Sequence, residues 1–202
     1  MPELPEVETV RKGLENHLKD RVIVDVELRR NDLRFPFPNK FDEIMKGKKI
    51  LKIERRAKYL LIRLSEGMTW LCHLGMSGRW TLLGEGREGV PGRFNYGGEI
   101  GTGEGPHDWV VIHLDDGGKG VYSDHRRFGI MDIFDTKKQN EHKLLKNIGP
   151  EPMPGSLTPE ILSNKLKRKI PIKNALLDQK IIAGLGNIYV CEILNRAGIS
   201  PR

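Results

Sequence analysis

Apolar residues recur at helical spacing near the start of the chain. Val7, Val10, Leu14 and Leu18 fall on one face of a helix. Pro5 suits the first helical position, because the N–H that proline lacks would have no partner there. The pattern therefore predicts a helix that begins at Pro5 and presents one apolar face to a core.

Patterns typical of strands follow this helix. Val22, Val24, Val26 and Leu28 recur at every second position, which predicts a half-buried strand. Turn residues separate further segments of this kind, and strands are predicted over residues 48–56, 58–65, 69–83, 108–114 and 121–134. The last two flank a turn of Asp-Asp-Gly-Gly and should form a hairpin.

Glycine and proline mark the breaks in these patterns. Residues 84–106 hold nine glycines and few core-forming side chains, so we expect a mobile loop there. Residues 148–155, Ile-Gly-Pro-Glu-Pro-Met-Pro-Gly, cannot form regular structure and are interpreted as a linker. Thr158 is then a predicted N-cap with Pro159 at the first helical position, and Pro171 should end that helix.

Two further helices are predicted near the C-terminal end. A short helix around Ile172–Leu176 leads into a turn at Gly184–Gly186, and a helix opened by Asn187 is closed by Gly198. The chain is therefore predicted to be an α+β protein of two domains. A β-sandwich flanked by helices should occupy residues 1–136 and a helical domain residues 137–202.

The excess of positive charge lies in the last third of the chain. Residues 1–136 hold 22 basic and 22 acidic side chains, whereas residues 137–202 hold 12 and 5, so this segment carries the whole net charge of +7. A basic segment beside a neutral one favours a polyanionic partner, most plausibly nucleic acid. The alternative is a solvated, lysine-rich helix face.

Composition also indicates a cellular location. No stretch approaches the length that spans a membrane, and the charged N-terminus does not resemble a signal peptide, so we expect a cytoplasmic protein without membrane contact. Cys72 and Cys191 stand alone, which fits a reducing compartment and supplies no zinc-binding pair.

The first residues combine a potential nucleophile with acids. Removal of Met1 would leave Pro2 with a free secondary amine, whose ordinary pKa is about 7.7–8.0. Such an amine is partly neutral at physiological pH and condenses with a sugar aldehyde carbon to an iminium. Glu3 is adjacent, and Glu6 lies in the first helical turn. An ordinary exposed terminus with first-turn acids is the alternative interpretation.

Other candidate residues each have an ordinary structural explanation. Lys58 follows two arginines and could be a surface charge at a strand edge. His73 and Met76 could be core side chains of a strand, and Arg126 and Phe128 could pack on their own sheet. The Gly-Leu-Gly before Asn187 is only a weak signal for a dinucleotide, since no strand precedes it.

Taken together and in order, these segments resemble the formamidopyrimidine-DNA glycosylase (Fpg/Nei) family. The resemblance rests on the opening Pro-Glu-Leu-Pro-Glu-Val-Glu-Thr and on four later motifs, namely RRAKYLL, HLGMSG, DHRRFG and GLGNIY. It covers essentially the whole chain except the glycine-rich loop. His125 is a departure, because the family usually has proline there.

The resemblance implies a role for each matching residue. Pro2 would be the nucleophile, Glu3 the general acid and base, and Glu6 a supporting acid. Phosphates flanking a damaged base would be bound by Lys58, His73 and Asn187. The side chains entering the duplex would be Met76 and Phe128 as apolar wedges and Arg126 facing the orphaned cytosine.

The resemblance also implies an activity and a partner. The reaction would be excision of oxidised purines such as 8-oxoguanine from double-stranded DNA, followed by β,δ-elimination at the abasic site, by a monomer. Family members continue past this chain with a long helix, a lesion-covering loop and a four-cysteine zinc finger. We therefore expect an incomplete helix-two-turn-helix domain and no metal or cofactor in this chain. The alternatives are a non-catalytic protein that binds damaged DNA and, more remotely, a basic RNA-binding module.

Overall fold

The computed structural model describes residues 2–84, 89–91, 100–167 and 169–201. Within these ranges the helices are α1 Leu4–Leu18, α2 Phe41–Met45, α3 Pro159–Leu166, α4 Ile172–Leu177 and α5 Asn187–Arg196. The strands are β1 Ile23–Leu28, β2 Ile50–Arg56, β3 Tyr59–Leu64, β4 Met68–His73, β5 Arg79–Leu83, β6 Asp108–Leu114, β7 Lys119–Ser123 and β8 Ile130–Asp135. The expected mobile loop falls largely on residues 85–88 and 92–99, which lie outside the described ranges.

The chain divides into two compact units. The first comprises Met1–Arg55 and Tyr59–Lys138, and the second comprises Arg56–Lys58 and Gln139–Arg202. The sequence-based domain prediction did not assign Arg56–Lys58 to the second unit. Arg56 is held in the second unit by hydrogen bonds that it donates to the carbonyls of Ile148 and Gly149, at 3.0 and 2.7 Å.

The first unit is built from two antiparallel sheets. The described strands pair in the orders β1-β6-β7-β5 and β2-β3-β4-β8, and buried side chains from both sheets share one core. An edge-to-face aromatic series runs through that core from Trp70 on β4 to Trp80 on β5 and Tyr122 on β7, with ring centroids 5.4 and 5.5 Å apart. The predicted sandwich and the α+β class are confirmed.

Helix α1 covers this core with the predicted face. Val7, Val10, Leu14 and Leu18 are all buried. The helix begins at Leu4, so Pro5 occupies the second helical position rather than the first. Both positions lack an intrahelical partner for a backbone N–H, which is why proline fits either one.

Strand β1 departs from the predicted alternation. Ile23 and Val26 are buried, whereas Val24 is 44% exposed. The pairing with β6 shifts register between Ile23 and Asp25. A bulge of this kind inserts one unpaired residue and moves the following side chains to the other face.

Two predicted strands are each two strands in the structure. Residues 69–83 contain nearly all of β4, a turn at Leu74–Gly78 and β5. Residues 121–134 contain the end of β7, a turn at Asp124–Gly129 and nearly all of β8. The first turn is closed by a 2.8 Å hydrogen bond from the Gly78 N–H to the Leu74 carbonyl. Each turn leads from one sheet to the other.

The second unit contains the predicted helical elements. Thr158 caps α3 by accepting a hydrogen bond from the Ile161 N–H at 3.3 Å, as predicted. Pro171 does not end this helix, which stops at Leu166, and instead immediately precedes α4. A small apolar cluster that includes Leu176, Val190 and Leu194 holds α4 and α5 together. No described helix is both apolar enough and long enough to cross a bilayer.

Candidate nucleic-acid interface

The start of α1 brings two carboxylates together. Glu3 is the N-cap residue and is 2% exposed. Its side chain accepts a hydrogen bond from the backbone N–H of Glu6, and the Glu6 carboxylate accepts one from the N–H of Glu3 at 2.8 Å. This reciprocal pair is a capping box, in which each side chain satisfies a backbone donor that the helix leaves unpaired.

The capping box lies next to Pro2. Pro2 is buried and is joined directly to Glu3. Negative side chains are favoured at this end of a helix, because the aligned peptide dipoles leave partial positive charge there. The arrangement therefore places the nitrogen of Pro2 at a buried helix start with two acidic side chains held in defined orientations.

An ion-pair network fastens α1 to the sheet beside it. The Glu8 carboxylate accepts hydrogen bonds at 2.9 Å from Arg11 and, across to β2, from Arg55. Arg11 also pairs with Glu15 and donates to the Ile53 carbonyl. Burial by itself would raise the pKa of Glu8, but the hydrogen bonds from the two arginines outweigh it and lower that pKa.

A groove of about 520 Å³ lies elsewhere on the first unit. Basic and apolar residues line it together: Leu33, Arg34, His73, Gly75, Met76, Arg126, Arg127 and Phe128. Four of the sequence candidates, His73, Met76, Arg126 and Phe128, are thus brought to one place. Basic groups suit phosphates and apolar groups suit bases, so this lining fits a nucleic acid better than a small apolar ligand.

Arg126 and Phe128 form a pair at the edge of this groove. The guanidinium carbon of Arg126 lies 4.9 Å from the centroid of the Phe128 ring, and 42% of Phe128 is exposed. A cation over an aromatic face is attracted by the ring quadrupole. The pair presents a charged group and a flat apolar group side by side to whatever enters the groove.

His73 has a defined tautomer. Its Nδ1 accepts a hydrogen bond from the backbone N–H of Gly75 at 3.0 Å, and its ring lies 4.9 Å from that of Tyr59. Because Nδ1 is an acceptor, the proton of the neutral ring is on Nε2. His73 can therefore donate a hydrogen bond to a phosphate oxygen without first becoming protonated.

The two remaining candidates belong to the second unit. Lys58 is 5% exposed, which excludes a solvated surface charge at a strand edge. It follows Ala57, whose φ of +52° is left-handed and whose N–H donates to the Glu151 carboxylate at 2.7 Å. Asn187 is exposed at the first position of α5. The amides at such a helix start form a common site for a phosphate.

Gln179 holds the turn that leads to Asn187. Its side-chain amide donates to the carbonyls of Leu177 and Leu185, at 3.1 and 2.8 Å, and accepts from the Gly184 N–H at 2.9 Å. One side chain thus satisfies three backbone groups of an irregular segment, which is how a turn without regular structure keeps one shape.

Sequence reasoning missed two basic residues of the groove. Arg34 follows β1 in a loop, and its backbone N–H donates to the Gly129 carbonyl at 3.1 Å. Arg127 lies between Arg126 and Phe128 with a left-handed φ of +57°. The available signal was weak, since both are arginines beside an exposed aromatic, and such a pair is common on protein surfaces.

Two family models match most of the chain. Residues 1–131 match the formamidopyrimidine-DNA glycosylase N-terminal domain, and residues 148–202 match the formamidopyrimidine-DNA glycosylase H2TH domain. The chain belongs to the formamidopyrimidine-DNA glycosylase family. The family predicted from the sequence motifs is therefore confirmed, together with the helix-two-turn-helix assignment of α4 and α5.

Individual relatives of the family support this membership. Formamidopyrimidine-DNA glycosylases of Ruegeria pomeroyi and Brucella ovis are 49% and 48% identical to this chain, and each alignment spans 100% of the chain and 69% of the relative. Membership places the chain among the DNA glycosylases of base-excision repair.

Solved structures of the family show the same fold. A complex between Lactococcus lactis Fpg and DNA containing an abasic site has a TM-score of 0.81 at 31% identity, covering 98% of this chain and 68% of that one. A complex of the wild-type L. lactis protein with DNA containing an oxidised pyrimidine also has a TM-score of 0.81, at 32% identity, covering 99% and 70%.

Proposed function

We propose that this chain is a bifunctional DNA glycosylase that excises oxidised purines, such as 8-oxoguanine and formamidopyrimidines, and cleaves the abasic site by β,δ-elimination through a Schiff base on Pro2. The observation that carries the proposal is the capping box at α1, which fixes the Glu3 and Glu6 side chains at the helix start that directly follows the buried Pro2. The similarity to proteins solved with DNA containing an abasic site or an oxidised pyrimidine supports damaged DNA as the class of substrate.

Pro2 supplies the nucleophile once Met1 has been removed. Its neutral secondary amine attacks the sugar carbon C1′, a new N–C1′ bond forms, and the bond from C1′ to the damaged base breaks. After the sugar ring opens, the adduct is an iminium that withdraws electrons from C2′. Loss of a C2′ proton then expels the 3′ phosphate, and a second elimination expels the 5′ phosphate.

Glu3 moves the protons that these steps require. A carboxyl group positioned by a hydrogen bond serves as general acid when the base departs and as general base during elimination. Its place in the capping box keeps the side chain in one orientation, which favours proton transfer to a correctly placed substrate. Glu6 supports this geometry by holding the N–H of Glu3.

The groove and the phosphate contacts hold the damaged nucleotide outside the stack. Extrusion of a base leaves a gap that apolar side chains can fill, a role that Met76 and Phe128 fit, with Arg126 facing the unpaired cytosine. His73, Lys58 and Asn187 bind phosphates that flank the lesion.

No zinc site is assigned to these residues. Among the described side chains, no three of His, Cys, Asp or Glu come together in a way that could hold a metal ion. Cys72 is fully buried, and burial raises the pKa of its thiol to about 12, which disfavours the thiolate that zinc needs. The proposed steps use the N-terminal amine of Pro2 and side chains of this chain.

Borohydride trapping tests the proposal. Reduction of an iminium to a stable amine should link the chain with Met1 removed to DNA containing an abasic site. Pro2→Gly, or retention of Met1, should abolish normal trapping. Binding to abasic DNA without any trapping would instead establish a non-catalytic protein that binds damaged DNA. Equal trapping with Met1 retained would exclude Pro2 as the nucleophile.

A further inference from the structure

The side chains proposed to fill the duplex come from two separate turns. Met76 lies in the turn Leu74–Gly78, which leads from β4 to β5, and Arg126 and Phe128 lie in the turn Asp124–Gly129, which leads from β7 to β8. Because β4 pairs with β8 and β5 pairs with β7, both turns bridge the same two pairs of strands. They must therefore lie side by side.

One buried carboxylate connects the two turns. Asp124 is fully buried, and its Oδ1 accepts a short hydrogen bond from the Ser77 hydroxyl in the other turn. Its Oδ2 accepts from the Gly129 N–H at 2.8 Å and from the Tyr122 hydroxyl at 3.5 Å. The Ser77 oxygen in turn accepts from the Arg126 N–H at 3.1 Å. A network of hydrogen bonds through the Asp124 carboxyl group and the Ser77 hydroxyl thus joins both turns.

Close packing leaves the two turns no room to move independently. A Cβ atom added to Gly75 would lie 2.4 Å from the carbonyl carbon of Phe128, and one added to Gly129 would lie 2.0 Å from the Tyr122 hydroxyl oxygen. Gly75 also has a left-handed φ of +63°. The backbones touch directly, so a shift of one turn displaces the other.

The Tyr122 hydroxyl in this network keeps its proton. Burial, together with the neighbouring Asp124 carboxylate, raises the pKa of Tyr122 well above its ordinary value. The phenol therefore stays protonated and can donate. Because Asp124 is buried, its carboxyl oxygens depend on these protein donors in place of water.

We propose that Asp124 is a positioning residue that locks the Met76 turn and the Arg126–Phe128 turn into one rigid wedge. Asp124 does not touch DNA in this proposal and acts through the residues it holds. The inference rests on the proposed function, because a wedge matters only if these side chains enter a duplex. Its structural half, the coupling of the two turns, can be measured without DNA.

Two substrates separate positioning from simple stability. Excision of 8-oxoguanine opposite cytosine requires the wedge, whereas trapping on a single-stranded abasic site requires Pro2 and an exposed sugar but no filled gap. Asp124→Asn should lower the kcat of duplex excision by roughly 10- to 100-fold, since misplacement by about 1 Å has effects of that order. Single-strand trapping should change by less than about twofold.

Asp108→Asn is the matched control. Asp108 is also buried, at 2% exposure, and also accepts several hydrogen bonds, including those from Gly103 and Gly105 at 2.9 Å. It is in neither turn. This variant should lower the melting temperature while leaving the ratio of duplex excision to single-strand trapping unchanged. An equal change of that ratio in the Asp108 and Asp124 variants would overturn the proposal.

Hydrogen exchange of the free protein tests the coupling itself. Ser77→Ala should raise the exchange rate of the Gly129 amide, which Ser77 does not contact through any described hydrogen bond, and Ser77→Thr should restore it. Faster exchange confined to Arg126, the direct partner of Ser77, would overturn the coupling. If the unaltered protein neither excised nor trapped, the proposed function would fail, and the exchange measurement would still decide whether Asp124 joins the turns.

Discussion

Glu3 and Glu6 satisfy each other's backbone at the start of α1. The N–H of Glu3 donates to the Glu6 carboxylate at 2.8 Å, and the Glu3 carboxylate accepts from the N–H of Glu6. A structural task and a chemical task therefore fall on the same two side chains. The two tasks can be separated, because an amide oxygen can cap a helix but an amide cannot shuttle protons.

Glu3→Gln should retain the fold and lose chemistry. The Gln oxygen still accepts the capping hydrogen bond, so the melting temperature should change little. Base excision should fall by about 10²- to 10⁴-fold, the usual contribution of general acid–base catalysis. Excision rates and melting temperatures of Glu3→Gln and of the unaltered protein should be measured side by side. A variant that melted early and lost activity in proportion would indicate that Glu3 acts only as a cap.

Lys58→Ala should weaken binding to every duplex by a similar factor. Removing one phosphate contact lowers the slope of log affinity against log salt by about 0.9 and leaves base preference unchanged. Lys52→Ala is the control, because Lys52 is an exposed lysine of β2 that pairs with Glu54. Binding isotherms at several salt concentrations measure the slope. Identical slopes for both variants would remove Lys58 from the interface.

Arg34→Ala should likewise reduce affinity, since Arg34 lines the groove beside Arg126. The side chain is exposed, so the fold should be unaffected. Arg30→Ala provides the comparison: Arg30 lies four residues earlier, stacks 5.3 Å from the Trp109 ring and does not line the groove. We expect a smaller salt slope only for Arg34→Ala. A similar loss in both variants would indicate a general effect of charge.

Gln179→Ala should destabilise the second unit. It leaves three backbone groups of the turn without their partner, and leaving a buried group unsatisfied costs about 1–3 kcal/mol. Urea denaturation followed by exchange of the α4 and α5 amides would measure the loss. Gln179→Glu, which keeps an acceptor for the Gly184 N–H but turns an oxygen instead of a donor toward the Leu177 and Leu185 carbonyls, should destabilise the unit at least as much. Unchanged protection of the α4 and α5 amides from exchange in both variants would contradict the role of Gln179 in holding this turn.

The ion pairs of Glu8 with Arg11 and Arg55 should make the free energy of unfolding depend on pH in the acidic range. The pKa of Glu8 is lowered in the folded protein, so its contribution to stability is present above the ordinary glutamate value of 4.5 and is lost as pH falls below it. Glu8→Gln should therefore reduce the free energy of unfolding at neutral pH and have less effect at about pH 3.5. Urea denaturation at both values tests this. A difference independent of pH would contradict the ion-pair explanation.

Local patterns were sufficient wherever a segment's neighbours in sequence are also its neighbours in space. The buried face of α1, the Thr158 cap and the helix beginning at Asn187 depend on contacts within three or four residues, and the structure contains all of them. Family motifs added expected roles for single residues such as Lys58 and Asn187, which local patterns do not assign.

Strand boundaries could not be predicted in the same way. Residues 69–83 and 121–134 were each predicted as one strand, yet each crosses from one sheet to the other at a turn. The bulge in β1 depends on its pairing with β6, about 85 residues away in sequence. Both features are set by long-range pairing, which local propensity does not encode.

The sequence by itself determined the family, the α+β class and the identity of nine candidate side chains. Only the tertiary structure brought His73, Met76, Arg126 and Phe128 to one groove and added Arg34 to it from a distant loop. It also decided that Asp124 joins two turns 47 residues apart. The physical reason is that a hydrogen bond between distant residues leaves no periodic trace in either segment, so it becomes visible only when the sheets have paired.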